Sequence, residues 1–352
     1  MKHLFLLGCF FVYTNLSAQF HNLTMPEASP AAGTEIQLGV TKIKIDYHSP
    51  SARGRDVWNN SNVIPQNGEP IAWRAGANEN TTIEFDTDVL IEGKPLKAGK
   101  YGFHIIPNGH EHTLLFVQPN NLWGSYYLNP DEDVVLKTTV NDSTANFSEH
   151  LQYSFIARNE NSVIAGLSWG DRVIPFKISV DLIKTTIEKF RYELNGENTY
   201  RWEAWNDAAA WCLRHNTNLE EALEWVNRSI NGGFGGFAAH NSFVNLSTKL
   251  ELLDVMEKTT ELDATVKEIL NTDFDVDEGH YMGATLLRIK RDADALSLMQ
   301  KGLEAYENDF GLLLYAAVAH YYLGQKKKAL KVLKKCGEYC PARFSPRLES
   351  IY

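Results

Sequence analysis

The sequence lacks a membrane-length apolar run and an excess of basic residues, and it has only four cysteines. The apolar run from Leu4 to Val12 is far shorter than the roughly 20 residues of a spanning helix, and no later stretch reaches that length. Lys and Arg number 34 against 44 Asp and Glu, so the formal net charge is -10. Nucleic acids and anionic membranes attract clustered Lys and Arg, so the acidic charge argues against a nucleic-acid partner. The short apolar runs argue against a membrane span.

The N-terminus has the pattern of an export signal. Lys2 precedes the apolar run, and Leu16-Ser17-Ala18 supplies small residues for a cleavage site. We therefore expect residues 1–18 to be a cleavable signal peptide, residues 19–34 to be an N-terminal segment, and the mature protein to be periplasmic or extracellular.

Removal of Cys9 with the signal peptide would leave Cys212, Cys336 and Cys340. An odd number excludes a fully paired disulfide framework. Cys336 and Cys340 lie four positions apart on a predicted helix, where a disulfide is possible but strained. Buried thiols and a redox-sensitive pair both remain open, and no further ligands for a metal lie nearby.

Between residues 35 and 185 apolar side chains alternate with polar ones, as at Ile36, Leu38 and Val40. This alternation is typical of strands with one buried face. About ten short strands without intervening helices predict an antiparallel β-sandwich. Three predicted turns between them are Glu92–Pro95, Pro107–Gly109 and Gly170-Asp171.

Four segments in this region do not fit plain strands or turns: Ser49–Arg55, Trp73–Thr82, Gly99–Gly102 and Trp123–Tyr126. Together they resemble an uncharacterised bacterial domain of unknown function, which is marked by Tyr-x-x-Pro at a strand end, a Gly-Arg pair and Trp-Arg-x-Gly-Ala-Asn-Glu. The resemblance covers about Pro26 to Leu182 and implies an exported all-β domain. It implies no activity, so no catalytic residue follows from it.

Two of these segments carry guanidinium groups, which bind carboxylate or phosphate through two parallel hydrogen bonds. If both loops converge at one end of the sandwich, they would form a pocket for a small anionic or sugar-like ligand, with two tryptophans as walls. The predicted ligand-binding residues are Arg53, Arg55, Trp73, Arg74, Asn78, Glu79 and Trp123.

A structural alternative needs no ligand. Arg74 would then pair with Glu79 or Asp46, and Gly54 and Gly76 would only permit unusual turns.

Other chemistry has weaker support in the sequence. His104, His110 and His112 offer three nitrogen ligands for a divalent metal, but His110 and His112 flank a predicted exposed turn. Ser125 has no Gly-x-Ser-x-Gly setting and no base at a recognisable spacing. We therefore predict no catalytic residue, metal site or cofactor.

After a predicted linker at residues 186–199, the apolar period changes to three and four, which predicts helices over residues 200–352. Asn218 and Glu221 have the spacing of a capping box. The helix pairs resemble tetratricopeptide repeats of about 34 residues. The positions that carry this resemblance are Trp205, Ala209 and Ala222, then Gly283, Leu286 and Ala295, then Ala317, Ala319, Gly324, Ala329, Leu333 and Pro341.

One degenerate pair around Phe243 to Leu270 would complete about four pairs between Tyr200 and Pro341. A plain helical bundle is the alternative. Stacked pairs present a concave surface that commonly binds proteins or peptides, and Tyr281, His320 and Tyr321 are candidates for it, although each fits a core equally well.

These patterns favour an exported, non-enzymatic binding or scaffold protein. Its β domain would hold a small anionic or sugar-like ligand or an envelope partner, and its repeats a protein or peptide. The alternative is a hydrolase acting on carbohydrate or peptide, with its site at the Arg74 and Glu79 loop. In a third interpretation the β domain only supports the repeats.

Overall fold

A computed structural model describes residues 25–64 and 72–339. The predicted signal peptide and Cys340 lie outside these residues, so cleavage and the state of the Cys336 and Cys340 pair stay predictions. Contacts between Cα atoms divide the chain into two units between Thr185 and Thr186, and each unit is described by itself.

The first unit is a sandwich of two antiparallel sheets, as the alternating pattern predicts. One sheet has the strand order β1-β2-β3-β6-β7-β8 and the other β5-β4-β10-β9. A one-turn helix, α1 (Pro130–Asp133), precedes β8. The strands are β1 (Ala31–Leu38), β2 (Thr41–His48), β3 (Thr82–Phe85), β4 (Val89–Ile91), β5 (Lys94–Leu96), β6 (Gly99–Asn108), β7 (Glu111–Val117), β8 (Val134–Asn141), β9 (Ser143–Arg158) and β10 (Ser162–Ser179).

The inward faces of both sheets form one apolar core. Ile43 and Ile45 on β2, Phe103 on β6 and Phe176 on β10 are all fully or almost fully buried. The rings of Phe103 and Phe176 lie 5.4 Å apart across the two sheets, so aromatic packing joins them.

The predicted turn at Gly170-Asp171 is wrong, because β10 continues through it. Ser168 pairs with Gln152, Gly170 with Ser148 and Arg172 with Thr144, with a register shift on each side of Gly170. Gly170 takes a left-handed φ of 59°. A glycine inside a strand marks a bulge as readily as a turn, and here continued pairing with β9 decides for the bulge.

The second unit contains helices of 13 or 14 residues that form four successive hairpins. They follow a first helix, α2 (Leu182–Leu194), which begins four residues before the second unit. The hairpin helices are α3 (Trp202–Arg214) and α4 (Leu219–Asn231), α5 (Phe243–Val255) and α6 (Thr259–Asn271), α7 (Val276–Arg288) and α8 (Asp292–Ala305), and α9 (Phe310–Tyr322) and α10 (Lys326–Glu338).

The hairpins repeat with the period of tetratricopeptide-like pairs. Helix α9 begins 34 residues after α7, at Phe310 against Val276. Helices α3, α5, α7 and α9 each contact the next in this series, as stacked repeats require. Within the described residues, no helix is long and apolar enough to cross a membrane.

Small residues recur at one position where the paired helices meet. Ala222, Ala295 and Ala329 are the fourth residues of α4, α8 and α10, and each is buried. The equivalent residue of α6 is Leu262. The larger side chain explains why the second pair is recognisable in the sequence only as a degenerate unit.

Most of the segment predicted as a linker is helical. Residues 186–194 belong to α2, whose Phe190 ring meets the rings of Trp211 and Trp225 edge-on. Arg191 pairs with Glu221 of α4 at 2.6 Å. The apolar side chains of α2 recur at helical spacing, but this single helix precedes the repeats and has no counterpart in them.

The predicted capping box at the start of α4 is also wrong, although the helix begins where expected. Asn218 has a left-handed φ of 50°, and its side chain caps no backbone amide. Its Nδ2 instead donates to Glu221 Oε2 at 2.7 Å. A capping side chain needs an extended backbone at its own residue, which Asn218 does not have.

Candidate ligand-binding cleft

A cleft of about 850 Å³ opens in the β domain where the two predicted loops meet. Residues from 28–29, 50–55, 61–63, 72–77 and 124–126 line it together with Trp169. Arg53, Arg55 and Arg74 are all in this lining, and none of its described residues is Asp or Glu. The structure therefore brings the three predicted arginines into one cleft.

The first loop is a tight turn with an arginine at its corner. Arg53 and Gly54 both take left-handed conformations, with φ of 52° and 70°, and Arg55 N donates to Ala52 O at 3.1 Å. The Arg55 side chain clamps the same turn, because its Nε and Nη2 donate to Ala52 O and Ser51 O at 2.8 and 2.7 Å. Arg53 is thus the arginine of this turn whose side chain lines the cleft without clamping the backbone.

The second loop is held by buried hydrogen bonds. Trp73 pairs with Ile105 of β6 through two backbone bonds of 2.7 and 2.8 Å. The carbonyl of Ala75, a residue with φ of 50°, accepts the hydroxyls of Tyr153 at 2.8 Å and Thr81 at 3.2 Å. Burial raises the pKa of Tyr153 well above its ordinary value, so this hydroxyl stays a donor at neutral pH.

The glycine and asparagine of the same loop have structural roles. A Cβ on Gly76 would lie 2.7 Å from Thr81 Oγ1 and 3.3 Å from His48 O. Asn78 has φ of 50°, and its Nδ2 donates to Glu27 Oε2 at 3.0 Å and Ser29 O at 3.1 Å. Asn78, predicted as a ligand contact, therefore uses its amide to hold the segment before β1.

Arg74 lies between the cleft and an exposed indole. Its Nη1 donates to the Asn78 carbonyl, and its guanidinium carbon lies 5.7 Å from the ring centroid of Trp123. Burial lowers the pKa of Arg74, but a guanidinium keeps its proton at any physiological pH.

The structure does not bring Arg74 and Glu79 together. Glu79 is exposed and lines a separate hollow beside Asn80 and Lys100. Asp46, the other proposed partner, pairs with Lys44 at 2.9 Å. Across residues 25–64 and 72–339, Arg74 has no carboxylate partner, so neither structural pairing suggested by the sequence is present.

Only one of the two predicted tryptophan walls lines the cleft. Trp73 is 4% exposed and its ring is stacked with that of Trp169 at 6.1 Å. Both contribute to the lining. Trp123 is 60% exposed and lines the neighbouring hollow instead, although it contacts Arg74 of the cleft lining.

A serine and a histidine that the sequence leaves unconnected are hydrogen-bonded at the cleft. Ser125 is in the lining, and its Oγ lies 2.8 Å from Nδ1 of the fully buried His104. Burial, assisted by the charge of Arg74, lowers the pKa of His104 to about 4. The sequence has no base at a recognisable spacing from Ser125. His104 nevertheless lies beside it in space, because the chain after β7 folds back over β6.

The three histidines considered for a metal do not converge. His110 Nδ1 and His112 Nε2 bind the two carboxylate oxygens of Asp142 at 2.7 and 3.0 Å, and Arg172 Nη1 lies 3.1 Å from Oδ2. His104 binds Ser125 instead. In the part of the chain that the structure describes, no group of three His, Cys, Asp or Glu side chains is arranged for a metal.

Solved structures with similar chains each match less than half of this chain. MamA from Desulfovibrio magneticus RS-1, residues 41 to end, is 19% identical over 42% of this chain and 77% of its own, with a TM-score of 0.28. A further MamA crystal structure is 13% identical over 44% and 80%, with a TM-score of 0.31. YrrB, titled a TPR protein with an unusual peptide-binding site, is 17% identical over 47% and 100%, with a TM-score of 0.24.

No curated protein matches the chain. The motif segments around the cleft, however, agree with a family model that covers almost the whole sandwich. Residues 29–178 match the model of the family described as "Protein of unknown function (DUF2911)", which confirms the resemblance that those segments indicate.

Proposed function

We propose that this protein is an exported binding protein with two recognition surfaces. The cleft of the β domain takes a small ligand that carries a carboxylate or phosphate group, and the helical repeats take a protein or peptide. Export rests on the N-terminal sequence pattern alone.

The observation that carries the anion site is the charge of the cleft lining. Three arginines and no described acidic residue line it, in a chain whose formal net charge is -10. A concentration of cations on an acidic protein attracts anions specifically to that place, and guanidinium groups bind carboxylate and phosphate in a fixed geometry.

The other lining residues favour a ligand with hydroxyl groups, such as a sugar acid or sugar phosphate. Ser51, Ser61 and Asn62 add neutral donors and acceptors, and the stacked, almost fully buried Trp73 and Trp169 add a small apolar area. Ligand sites combine a few polar groups that fix orientation with apolar walls in this way.

The proposed role of the repeats rests on their arrangement. The first helices of the hairpins contact one another in series, and Tyr281 on α7 and Tyr321 on α9 are exposed by 47% and 58%. His320, the third candidate from the sequence, is buried and bonded to Gln325 at 3.0 Å. It therefore supports the fold of the last repeat and is not part of the proposed surface.

The alternative hydrolase site at Arg74 and Glu79 has lost its geometric support. The two side chains line different hollows. A carboxylate that acts as a general acid must reach the same bound substrate as the residue that orients it.

Calorimetric titration of the full-length protein with glucuronate and with inorganic phosphate tests the anion site. Arg53→Gln should weaken binding about tenfold or more, the usual effect of losing one charge-assisted contact. Arg158→Gln is the matched control, because Arg158 is exposed at the end of β9 and outside the cleft lining. Equal binding by the two variants, or no binding of either probe to the wild type, would refute the proposal.

A further inference from the structure

We propose that Ser125 is a nucleophile that His104 activates, and that the cleft hydrolyses esters of small anionic acids through an acyl-serine. The substrate class rests on the anion site proposed above. The nucleophile itself rests on separate observations at Ser125 and His104.

The first observation is the geometry of the pair. Ser125 Oγ and His104 Nδ1 are 2.8 Å apart, which is the reach a base needs to take a hydroxyl proton. Ser125 is partly exposed and lines the cleft, whereas His104 is completely buried behind it. The hydroxyl therefore faces a bound substrate while its base is shielded from water.

The second observation is that the position of His104 is energetically unfavourable for folding. Its Nε2 is buried and has no hydrogen-bond partner within the described residues. Leaving such a group unpaired costs about 1 to 3 kcal/mol, and apolar side chains fill neighbouring core positions such as Phe103 and Ile105. Costs of this kind concentrate at functional sites.

A second serine of the same cleft, hydrogen-bonded to a histidine outside the lining, provides a comparison. Ser51 Oγ lies 2.9 Å from Nδ1 of His150, which is exposed. An exposed pair of this type needs no functional explanation, because water satisfies both side chains when they separate. We therefore assign the nucleophile to Ser125 and not to Ser51.

The third observation is a fixed positive charge beside the nucleophile. Arg74 Nη1 lies 3.7 Å from the position that a Cβ would occupy on Gly124, the residue before Ser125. A preorganised cation at this place stabilises the negative charge that develops on a carbonyl oxygen under attack. Burial is the main cause of the lowered pKa of His104, and the charge of Arg74 adds to it. An anion bound at Arg74 would offset the second of these effects.

The chemistry balances with water as the only co-reactant. In the tautomer with its proton on Nε2, His104 Nδ1 accepts the Ser125 proton while Oγ attacks the ester carbonyl carbon. The tetrahedral intermediate expels the alcohol, which takes the proton from Nδ1 as the ester C–O bond breaks. Water then attacks the acyl-serine through the same base, releasing the acid and restoring the Ser125 hydroxyl.

Labelling of the full-length protein with a fluorophosphonate tests this assignment. Ser125 Oγ should displace fluoride from phosphorus, adding one probe per chain, and peptide mass spectrometry should locate it on the 123–126 segment. Ser125→Ala should abolish labelling, and Ser143→Ala, the control at an exposed serine outside the cleft lining, should leave it unchanged. His104→Gln retains a hydrogen-bonding side chain without a base, so labelling should slow by about two orders of magnitude or more.

Ser125→Ala changes one partly exposed hydroxyl and keeps the test valid if His104→Gln does not fold. The proposal fails if the wild type is not labelled, if the probe is on Ser51, or if Ser125→Ala is labelled as fast as the wild type. Glucuronate binding, measured by calorimetry on wild type and Ser125→Ala, separates the two proposals. Binding without labelling overturns only the nucleophile, whereas labelling without binding overturns the anion site and the substrate class that rests on it.

Discussion

Arg74 carries its guanidinium over the face of Trp123, 5.7 Å from the ring centroid, and Trp123 is the exposed member of this pair. The other tryptophans described in the β domain, Trp58, Trp73 and Trp169, are at most 4% exposed. A cation over an indole holds the ring in one orientation. Arg74 therefore links the cleft, which it lines, to Trp123, an exposed fluorescent side chain.

This connection predicts a fluorescence signal for ligand binding. An anion that binds Arg74 competes with Trp123 for the guanidinium, so tryptophan emission should change as phosphate or glucuronate is added. Trp123→Phe should remove most of this change while calorimetry still detects binding. A signal of unchanged size in Trp123→Phe would place the reporter elsewhere and contradict the connection.

The buried His104 predicts a loss of stability in mild acid. Burial holds its pKa at about 4 in the folded protein, against about 6.5 when unfolded. Between these values the unfolded chain binds more protons, so the stabilisation is complete above about pH 6.5 and decreases as the pH falls towards 4. Burial lowers the pKa of His112 as well, which acts in the same direction.

From pH 7 to pH 5 the free energy of unfolding of the β domain should fall by on the order of 2 kcal/mol through His104. Urea unfolding at both pH values measures this, and His104→Gln should reduce the difference by about that amount. The histidine resonance assigned to His104 by its loss in the variant should stay unprotonated at pH 5. A midpoint near 6.5 would show that the side chain is hydrated.

Among the substitutions considered for the β domain, Asp142→Asn should lower the free energy of unfolding the most. The Asp142 carboxylate is 1% exposed and binds His110, His112 and Arg172. Together these partners hold the pKa of Asp142 below its ordinary value, against the effect of burial. Asp142→Asn removes the charge and leaves Arg172 and His112 without their anion, so we expect a loss of about 2 to 4 kcal/mol.

Thermal or urea unfolding measures the expected loss of stability in Asp142→Asn. Asp131→Asn is the control, because Asp131 lies exposed in the first turn of α1. The control should change the free energy of unfolding by less than about 0.5 kcal/mol. Similar losses in both variants would mean that net charge, and not the buried network, determines the result.

The sequence predicts regular features well because they repeat. The alternation at Ile43 and Ile45 and the 34-residue interval between α7 and α9 reflect constraints that recur along the chain. The arginine loops were also predictable, because Arg53 and Arg74 lie in segments that fit neither strand nor turn. Whether the two loops converge depends on the order of the strands in the sheets, which the sequence does not determine.

Contacts made by a single fold-back could not be predicted. Ser125 reaches His104 because residues 118–130 return over β6. Arg74 and Glu79 line different hollows, in a loop where Ala75 and Asn78 take left-handed backbone conformations. Gly170 shows the same limit, since only its pairing with Ser148 distinguishes a bulge from a turn. Each of these contacts is decided by a few backbone angles and not by a periodic pattern.

The close packing at Gly102 indicates how residues 118–130 are held on the sheet. A Cβ on Gly102 would overlap the carbonyl oxygen of Pro119 and lie 2.5 Å from Asn80 Nδ2 and 2.8 Å from Val117 Cγ2. A backbone carbonyl cannot rotate away as a side chain can, so Gly102→Ala must displace the segment that carries Trp123 and Ser125. We expect a loss of about 1 to 3 kcal/mol in the free energy of unfolding.

The matched control is Gly109→Ala, which replaces a glycine at an open turn. Gly109 has φ of 64° and no atom within 4 Å of its added Cβ, so only the left-handed backbone is penalised, by about 1 kcal/mol. Gly102→Ala should also reduce the fluorescence response of Trp123 and the labelling of Ser125, whereas Gly109→Ala should leave both unchanged. A displaced Pro119 must move the chain that follows it, including Trp123. If both variants lose stability equally and both keep the Trp123 response, Pro119 has not moved, and close packing at Gly102 does not position the segment.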